Sequence, residues 1–305
     1  MPRYNESYKN KMIESKAKLI FIINPISGGK DKGYLPSLIE KYFAKGSYEA
    51  VFTENPEHAT QLTYEGIEKG FTDFIAVGGD GTVNEVAKAL IGTTHNLGIV
   101  PYGSGNGLAR HNNIPLNTEK ALELIQNYTV KRIDTCTLNN MPFINMSGVG
   151  FDAHIGKLFA QSKGRGLSTY VSTTINEFMH YKSQHYTIHI DGKMYDKDAF
   201  LISFANSSQY GNNAFIAPNA DMQDGLLDIC IMKPFPTFEI IDLGFKLFTK
   251  NIDKSHYVET IQASEIIVER ENAGEIHVDG EPFDTGKTLR IKVVPHSLNL
   301  LISNN

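Results

Sequence analysis

The feature that most constrains this chain is an alternation, over residues 17 to 135, of short apolar runs with longer segments of helical period. LIFIIN (19–24), YEAVFTE (48–54), FIAV (74–77) and LGIVP (97–101) are strand-sized and rich in β-branched or aromatic residues. Between the first three lie LPSLIEKYFAKG (35–46) and HATQLTYEGIEKG (58–70), and beyond Val77 the residues Val83, Val86, Ala87 and Leu90 recur at i, i+3, i+4 and i+7. That spacing lays one apolar stripe along a helix. Strands and helices in strict alternation are satisfied by a doubly wound parallel sheet, so this part reads as a Rossmann-like α/β domain.

From Arg132 onward the pattern changes. KRIDTCTL, FINMSGV, HYTIHIDG, AFLISFAN, GLLDICIM, EIIVER, EIHVDGEPF and LRIKVVP are strand-like and separated by turn clusters such as Asn139-Asn140, Asp191-Gly192 and Asp279-Gly280. Helical patterns interrupt them only around 154–180 and 237–250. Strands in succession without intervening helices point to an antiparallel β-sandwich or a barrel-like sheet, the sandwich being the expected form. The expected organisation is an α/β domain over 1–135, with 1–16 a polar N-terminal extension, and a β-sandwich domain over 136–305 whose last strands return to the first domain. A cleft between the two is the expected place for a site.

Composition removes other classes. A chain of 305 residues exceeds what one core usually serves, and 41% hydrophobic with 21% charged residues is ordinary for a globular protein. A net charge of -5 supplies no basic field, so nucleic acid is not an expected partner. Cys136 and Cys230 are the only cysteines and form no CxxC pair, which points to neither a disulfide framework nor a zinc site and fits a reducing cytoplasm. The first 18 residues are polar and carry no secretory signal pattern. Apolar runs such as Leu19 to Ile23 fall far short of the ~20 residues of a spanning helix.

Glycine-rich loops follow three of the four expected strands. Gly78-Gly79-Asp80-Gly81-Thr82 leads into the Val83 helix, Gly103-Ser104-Gly105-Asn106-Gly107 follows the fourth strand, and Asn24-Pro25-Ile26-Ser27-Gly28-Gly29 follows the first. Glycine permits positive φ and close backbone approach, and free N–H groups at a helix start face an anion, so phosphate is the natural ligand. A tight turn with no ligand accounts for any one of these loops alone. Together they converge on the strand carboxyl ends, where open α/β sheets bind their ligands. Lys30 does not complete a G-x-x-x-x-G-K-[ST] loop, and Gly148-Val149-Gly150 lacks a βαβ context and reads as a strand-end turn. Read alone, DMQDG (221–225) is a solvated turn, and VDGE (278–281) is a hairpin with Asp-Gly at a type I′ turn.

In this order the motifs resemble one family. Asn24-Pro25 with Ser27-Gly28, Gly78-Gly79-Asp80-Gly81-Thr82 followed by Asn84-Glu85, Gly103-Ser104-Gly105-Asn106, and Val278-Asp279-Gly280-Glu281 look like the diacylglycerol kinase catalytic domain. That superfamily includes soluble bacterial diacylglycerol kinases, sphingosine kinases and ceramide kinases. The likeness spans residues 17 to 300 and implies a nucleotide-binding α/β domain followed by a lipid-substrate β-sandwich. It implies transfer of the γ-phosphoryl group of ATP, with Mg²⁺, to a hydroxyl of a membrane lipid, diacylglycerol first.

Carried over by residue, the resemblance implies that Asn24, Pro25, Ile26, Ser27, Gly28, Thr53, Gly79, Asp80, Gly81, Thr82, Val83, Asn84, Glu85, Ser104, Gly105 and Asn106 surround the ATP phosphates and nucleoside. It implies that Asp221, Asp224 and the backbone carbonyl of Leu226 hold a structural Mg²⁺, for which oxygen ligands are suited. Asp279 and Glu281 supply the general base, and two residues apart on an extended segment they point to one face. Asp80 joins the carboxylates and waters around a catalytic Mg²⁺. Gly107 follows Asn106 where soluble bacterial diacylglycerol kinases carry an acidic residue, which bears on the acceptor more than on the reaction class. A dinucleotide kinase shares GGDGT, and a non-catalytic nucleotide or lipid sensor keeps the fold. Against both stand the GSGN and VDGE motifs and the intact Asp80, Asp279 and Glu281. A homodimer is compatible with the resemblance.

A lipid acceptor is met at a membrane surface, so a cytoplasmic chain with a peripheral contact is expected. In TFEIIDLGFKLFTK (237–250), Phe238, Ile241, Phe245 and Phe248 fall near one helical face, with Lys246 and Lys250 in reach of anionic headgroups. The commoner reading of such a stripe is a helix packed on the sandwich core.

Overall fold

The structure, a computed structural model, describes residues 18–29, 32–161, 177–178 and 180–304. The polar extension 1–16 and most of the helical pattern beyond Gln161 lie outside the described residues. In chain order the first half comprises β1 (Leu19–Ile23), α1 (Leu35–Tyr42), β2 (Tyr48–Phe52), α2 (His58–Glu68), β3 (Asp73–Gly78), α3 (Asp80–Leu90), β4 (Asn96–Pro101), α4 (Gly107–His111), α5 (Thr118–Gln126) and β5 (Tyr128–Leu138). The second half adds β6 (Met141–Phe143), β7 (Met146–Gly150), α6 (Phe151–Gln161), β8 (Gln184–Ile190), β9 (Lys193–Ala199), β10 (Leu201–Ala205), β11 (Leu227–Met232), α7 (Ile240–Phe248), β12 (Val258–Ala263), β13 (Glu265–Arg270), β14 (Gly274–Val278), β15 (Glu281–Thr285) and β16 (Thr288–Ser303).

Strands β2, β1, β3 and β4 lie side by side in that order, all parallel. Every residue of β1 and β3 is buried, as expected where helices cover both faces of a parallel sheet. The stripe on α3 is buried on β3 and β4, with Val86, Ala87 and Leu90 inaccessible to solvent. Chain order reverses between β1 and β3, so the loops leaving those two strands flank a topological switch point, where α/β sheets open a crevice.

A fifth parallel neighbour comes from the far end of the chain. β16 lies beside β4 through Asn299 and Leu300, and its Leu298, Leu300 and Leu301 enter the α/β core. The first part of the same strand pairs antiparallel with β13 and β5 in the sandwich. Between Val294 and Leu298 its register on β5 shifts, a bulge that turns one strand from one layer into the other. The fully buried Asp134 carboxylate pins this bend, accepting from the His296 amide at 2.7 Å. The second sheet, β12-β11-β10-β7-β14-β15, is antiparallel throughout, and faces the β16, β13 and β8 part of the first sheet across a core containing Phe143, Tyr186, Phe204 and Ile276. The fold is thus the α/β layer plus β-sandwich that the sequence pattern implies.

One strand expectation is corrected. EIHVDGEPF is not a single extended segment: β14 ends at Val278, Asp279 (φ 49) and Gly280 (φ 85) form the turn, and Glu281 pairs back with Val278. Positive φ at both central residues is the type I′ hairpin turn, whose twist matches the strands it joins. Asp279 and Glu281 therefore do not share a face by strand alternation.

Candidate active site

The three glycine loops touch one another at the switch point. A Cβ on Gly28 would stand 2.1 Å from the Tyr102 carbonyl oxygen, and one on Gly103 would stand 2.7 Å from the Gly79 Cα, so backbone packs on backbone between loops. Asn24 Nδ2 donates to Thr82 Oγ1 at 3.1 Å, tying the first loop to α3. Asp80, in the first turn of α3, accepts the Asn106 amide on Oδ2 and the Gly107 amide on Oδ1, both at 2.8 Å. Its carboxylate thus caps α4, whose N-cap Asn106 is left-handed (φ 50) and bonds its own side chain to both backbone groups of Gly103. The GDG carboxylate and the GSGN loop are one hydrogen-bonded unit.

The sandwich brings the second acidic motif to the same place. Asp279 accepts three backbone amides, those of Ile144 (2.9 Å), Asn145 (2.8 Å) and Met146 (3.0 Å). Burial pushes this carboxyl above the usual range, while the three amides and Lys88 pull the other way. Glu281 is half exposed, and its Oε2 lies 3.7 Å from the ammonium of Lys88 on α3. Asn145 links the halves: its amide bonds Asp279, and its side chain donates to Gln209 O at 3.2 Å and fills the space where a Cβ on Gly107 would fall, 2.7 Å from Nδ2. A side chain at 107 would therefore have to displace the Asn145 amide from this place. A loop of the second half closes over the glycines, with the Asn212 amide donating to Gly105 O at 2.9 Å and Arg110 Nε donating to that same oxygen at 3.0 Å.

Not every sequence candidate reaches this cluster. Thr53 is buried, its amide bonded to Ile23 O beside the first loop, while Val83 belongs to the core. Glu85 accepts the Ala59 amide at 3.0 Å and so serves the N-terminus of α2. Pro25 and Ile26 form the exposed tip of the first loop, and Ser104 is exposed on the third. Asp221 and Asp224 are exposed on their turn, each using one oxygen on a local amide, Gln223 at 3.0 Å and Leu226 at 2.9 Å. The buried Asp134 accepts the Gly225 amide of that turn at 2.8 Å. The turn, so held, keeps one oxygen of each aspartate outside those bonds, which with the Leu226 carbonyl suits a hard cation completed by water. Among the described residues no group of three or more His, Cys, Asp or Glu side chains is placed to hold a metal.

Sequence reasoning missed Lys32, Lys88 and Asn145. Lys32 is fully buried, and its ammonium donates to Pro25 O (3.4 Å) and to Ser27 O, holding the first loop by its carbonyls. No motif marks it. His111 was also unremarked. Its Nδ1 accepts the Ser208 amide at 3.0 Å, and burial, with Lys131 nearby, pushes the ring down to about 4.

Because the unfolded chain binds this proton near pH 6.5 and the folded one does not, stability is full above that value and falls as pH drops toward about 4. The loss reaches at most about 3 kcal/mol. Buried Asp73, Asp228 and Asp279, pushed up by burial, act in the opposite sense, so the expected observation is a difference. The thermal midpoint of His111→Asn falls less steeply than that of the wild type between pH 6.5 and 4, and equal slopes would remove the assignment.

Fold and site together define a two-domain phosphotransferase class, in which glycine loops on an α/β layer face an acidic hairpin from a β-sandwich. Residues 18–138 match the diacylglycerol kinase catalytic domain, and residues 145–302 match the YegS C-terminal NAD kinase beta sandwich-like domain. A Pseudomonas aeruginosa (strain UCBPP-PA14) protein named "Probable lipid kinase YegS-like" is 30% identical over 246 residues, 79% of this chain and 80% of that one. A solved structure from Bacillus anthracis str. Sterne, described as that of a diacylglycerol kinase, has a TM-score of 0.73 at 23% identity, covering 94% of this chain and 97% of that one. A second structure from that organism reaches 0.75 at 25% identity, with the same coverage. The chain belongs to the YegS-like, diacylglycerol kinase-type family of lipid kinases. Membership implies ATP as the phosphoryl donor.

Proposed function

We propose that this chain transfers the γ-phosphoryl group of ATP, with Mg²⁺, to the hydroxyl of diacylglycerol or a related lipid such as sphingosine or ceramide. The observation that carries the reading is the start of α3. At Gly81 a Cβ would meet no protein atom within 4 Å and φ is not positive, so nothing inside the protein requires glycine there. On the same helix Asn84 Nδ2 is buried without a hydrogen-bond partner among the described residues. A triphosphate lying on the first turn accounts for the missing side chain, and the helix N-terminus favours its charge. Phosphoryl transfer then rests on positioning and charge neutralisation, which loop amides supply.

Glu281 is the group to take the acceptor's proton, because it is half exposed beside Lys88 of α3 while Asp279 is committed to three amides. Mg²⁺ neutralises phosphate charge when bound; Asp80, beside the loops, is the carboxylate to direct its waters, and Asp221, Asp224 and Leu226 O are the structural cation site. Incubation with labelled ATP, Mg²⁺ and a panel of diacylglycerol, sphingosine, ceramide and nicotinamide dinucleotide is expected to label diacylglycerol. Label in another lipid reassigns the acceptor, label in the dinucleotide overturns the lipid reading, and no label in any of them indicates a sensor.

A further inference from the structure

Helix α7 is apolar on both sides. Leu243 is buried at 5% exposure and Leu247 packs beside it on a cluster with Met232 and Ile252. Phe238, just before the helix, with Ile241, Phe245 and Phe248 faces outward, at 76%, 80%, 68% and 57% exposure. The core-helix reading of this stripe is thereby corrected, since only the opposite side packs. Four large apolar side chains within eleven residues form an exposed patch of the kind that marks an interaction surface.

We infer that this face inserts into the interfacial layer of a lipid bilayer and delivers the acceptor to the active site, an inference resting on the lipid kinase reading. Three observations choose a bilayer as the occupant. The family's acceptor is a lipid, and no helix among the described residues is long and apolar enough to cross a membrane, so a surface must reach it. The patch is also coupled to the site. Leu247 O accepts the Phe215 amide at 2.9 Å, and three residues earlier in that loop the Asn212 amide binds Gly105 O of the third glycine loop. Three residues span at most roughly 10 Å, so the C-terminal end of α7, whose other side carries the apolar face, is tied by a short tether to the third glycine loop.

The local charge is balanced rather than basic. Lys246 does not reach outward as expected, because Asp242 holds its ammonium at 2.6 Å, and Lys250 stands over the Phe215 ring at 4.5 Å. Glu239, Asp242 and Asp253 offset Lys246, Lys250 and Lys254. Insertion of apolar side chains, not attraction to anionic headgroups, therefore carries the binding.

The full chain and an Ile241→Asp/Phe245→Asp variant are compared by co-sedimentation with phosphatidylcholine vesicles and by turnover of two acceptors, a long-chain diacylglycerol in those vesicles and a short-chain one dissolved as monomer. The variant binds vesicles at least about tenfold more weakly and loses vesicle turnover in step, while turnover of the monomeric acceptor is kept. Wild-type binding persists in high salt, and Phe245→Leu retains it. Vesicle binding unchanged in the variant overturns the inference, as does an aspartate variant that changes only the oligomeric state in size-exclusion chromatography, which would make the face a contact between copies. Wild type that binds vesicles through this face yet phosphorylates none of diacylglycerol, sphingosine or ceramide presented in them refutes the kinase reading instead.

Discussion

Glu281→Gln is expected to lower kcat by about 10²- to 10⁴-fold, the usual contribution of a general base, with nucleotide affinity and thermal midpoint near wild type. Glutamine keeps the shape and removes the ability to take a proton. The ion pair with Lys88 that it also loses is long, at 3.7 Å, and half exposed, so it contributes at most about 1 kcal/mol to stability. Single-turnover measurement with saturating ATP isolates the chemical step, and a rate within a few-fold of wild type would exclude Glu281 as the base. Asp279→Asn gives the contrast. One acceptor oxygen then meets three amide donors, so turnover falls together with stability.

Asp80→Asn is expected to abolish measurable turnover and to destabilise the protein by about 2 to 3 kcal/mol. Both carboxylate oxygens accept backbone amides, from Asn106 and Gly107, and an asparagine would turn its NH₂ against one of them. The unpaired donor loosens the third glycine loop, and with it the bed on which phosphate lies. Denaturant unfolding and calorimetric titration with ATP give the two readouts. Unchanged stability would mean that Asp80 does not cap α4, whatever its part in catalysis.

These outcomes separate what the residues announce from what they conceal. GGDGT, GSGN and VDGE are legible because a phosphate loop needs glycine at fixed offsets after a strand, and such local demands leave a local trace. The exposed α7 face was half legible: the spacing of Phe238, Ile241, Phe245 and Phe248 marks a stripe, but periodicity is blind to which side of a helix the rest of the fold covers. VDGE was read both as an extended pair and as a turn, and pairing of Val278 with Glu281 decides for the turn. Asn145 left no trace, since an amide filling the space over Gly107 depends on partners remote in the chain, and Lys32, though its two carbonyls lie only five and seven residues back, follows no spacing that marks a buried ammonium.

By itself the sequence determined the alternation that makes a parallel sheet, the run of strands that makes a sandwich, and the loops that receive phosphate. Each follows from interactions between residues a few positions apart, through backbone geometry and side-chain period. Only the tertiary structure decided that the strand returning to the α/β sheet lies beside β4, and that Asp279 is bound by three amides while Glu281 stays half exposed beside Lys88. It alone decided that α7 turns its aromatic side outward. The first two are made by contacts across more than a hundred residues of chain and the last by packing of Leu243 and Leu247 beside Met232 and Ile252, and in each burial and hydrogen-bond satisfaction are settled by the fold rather than by local period.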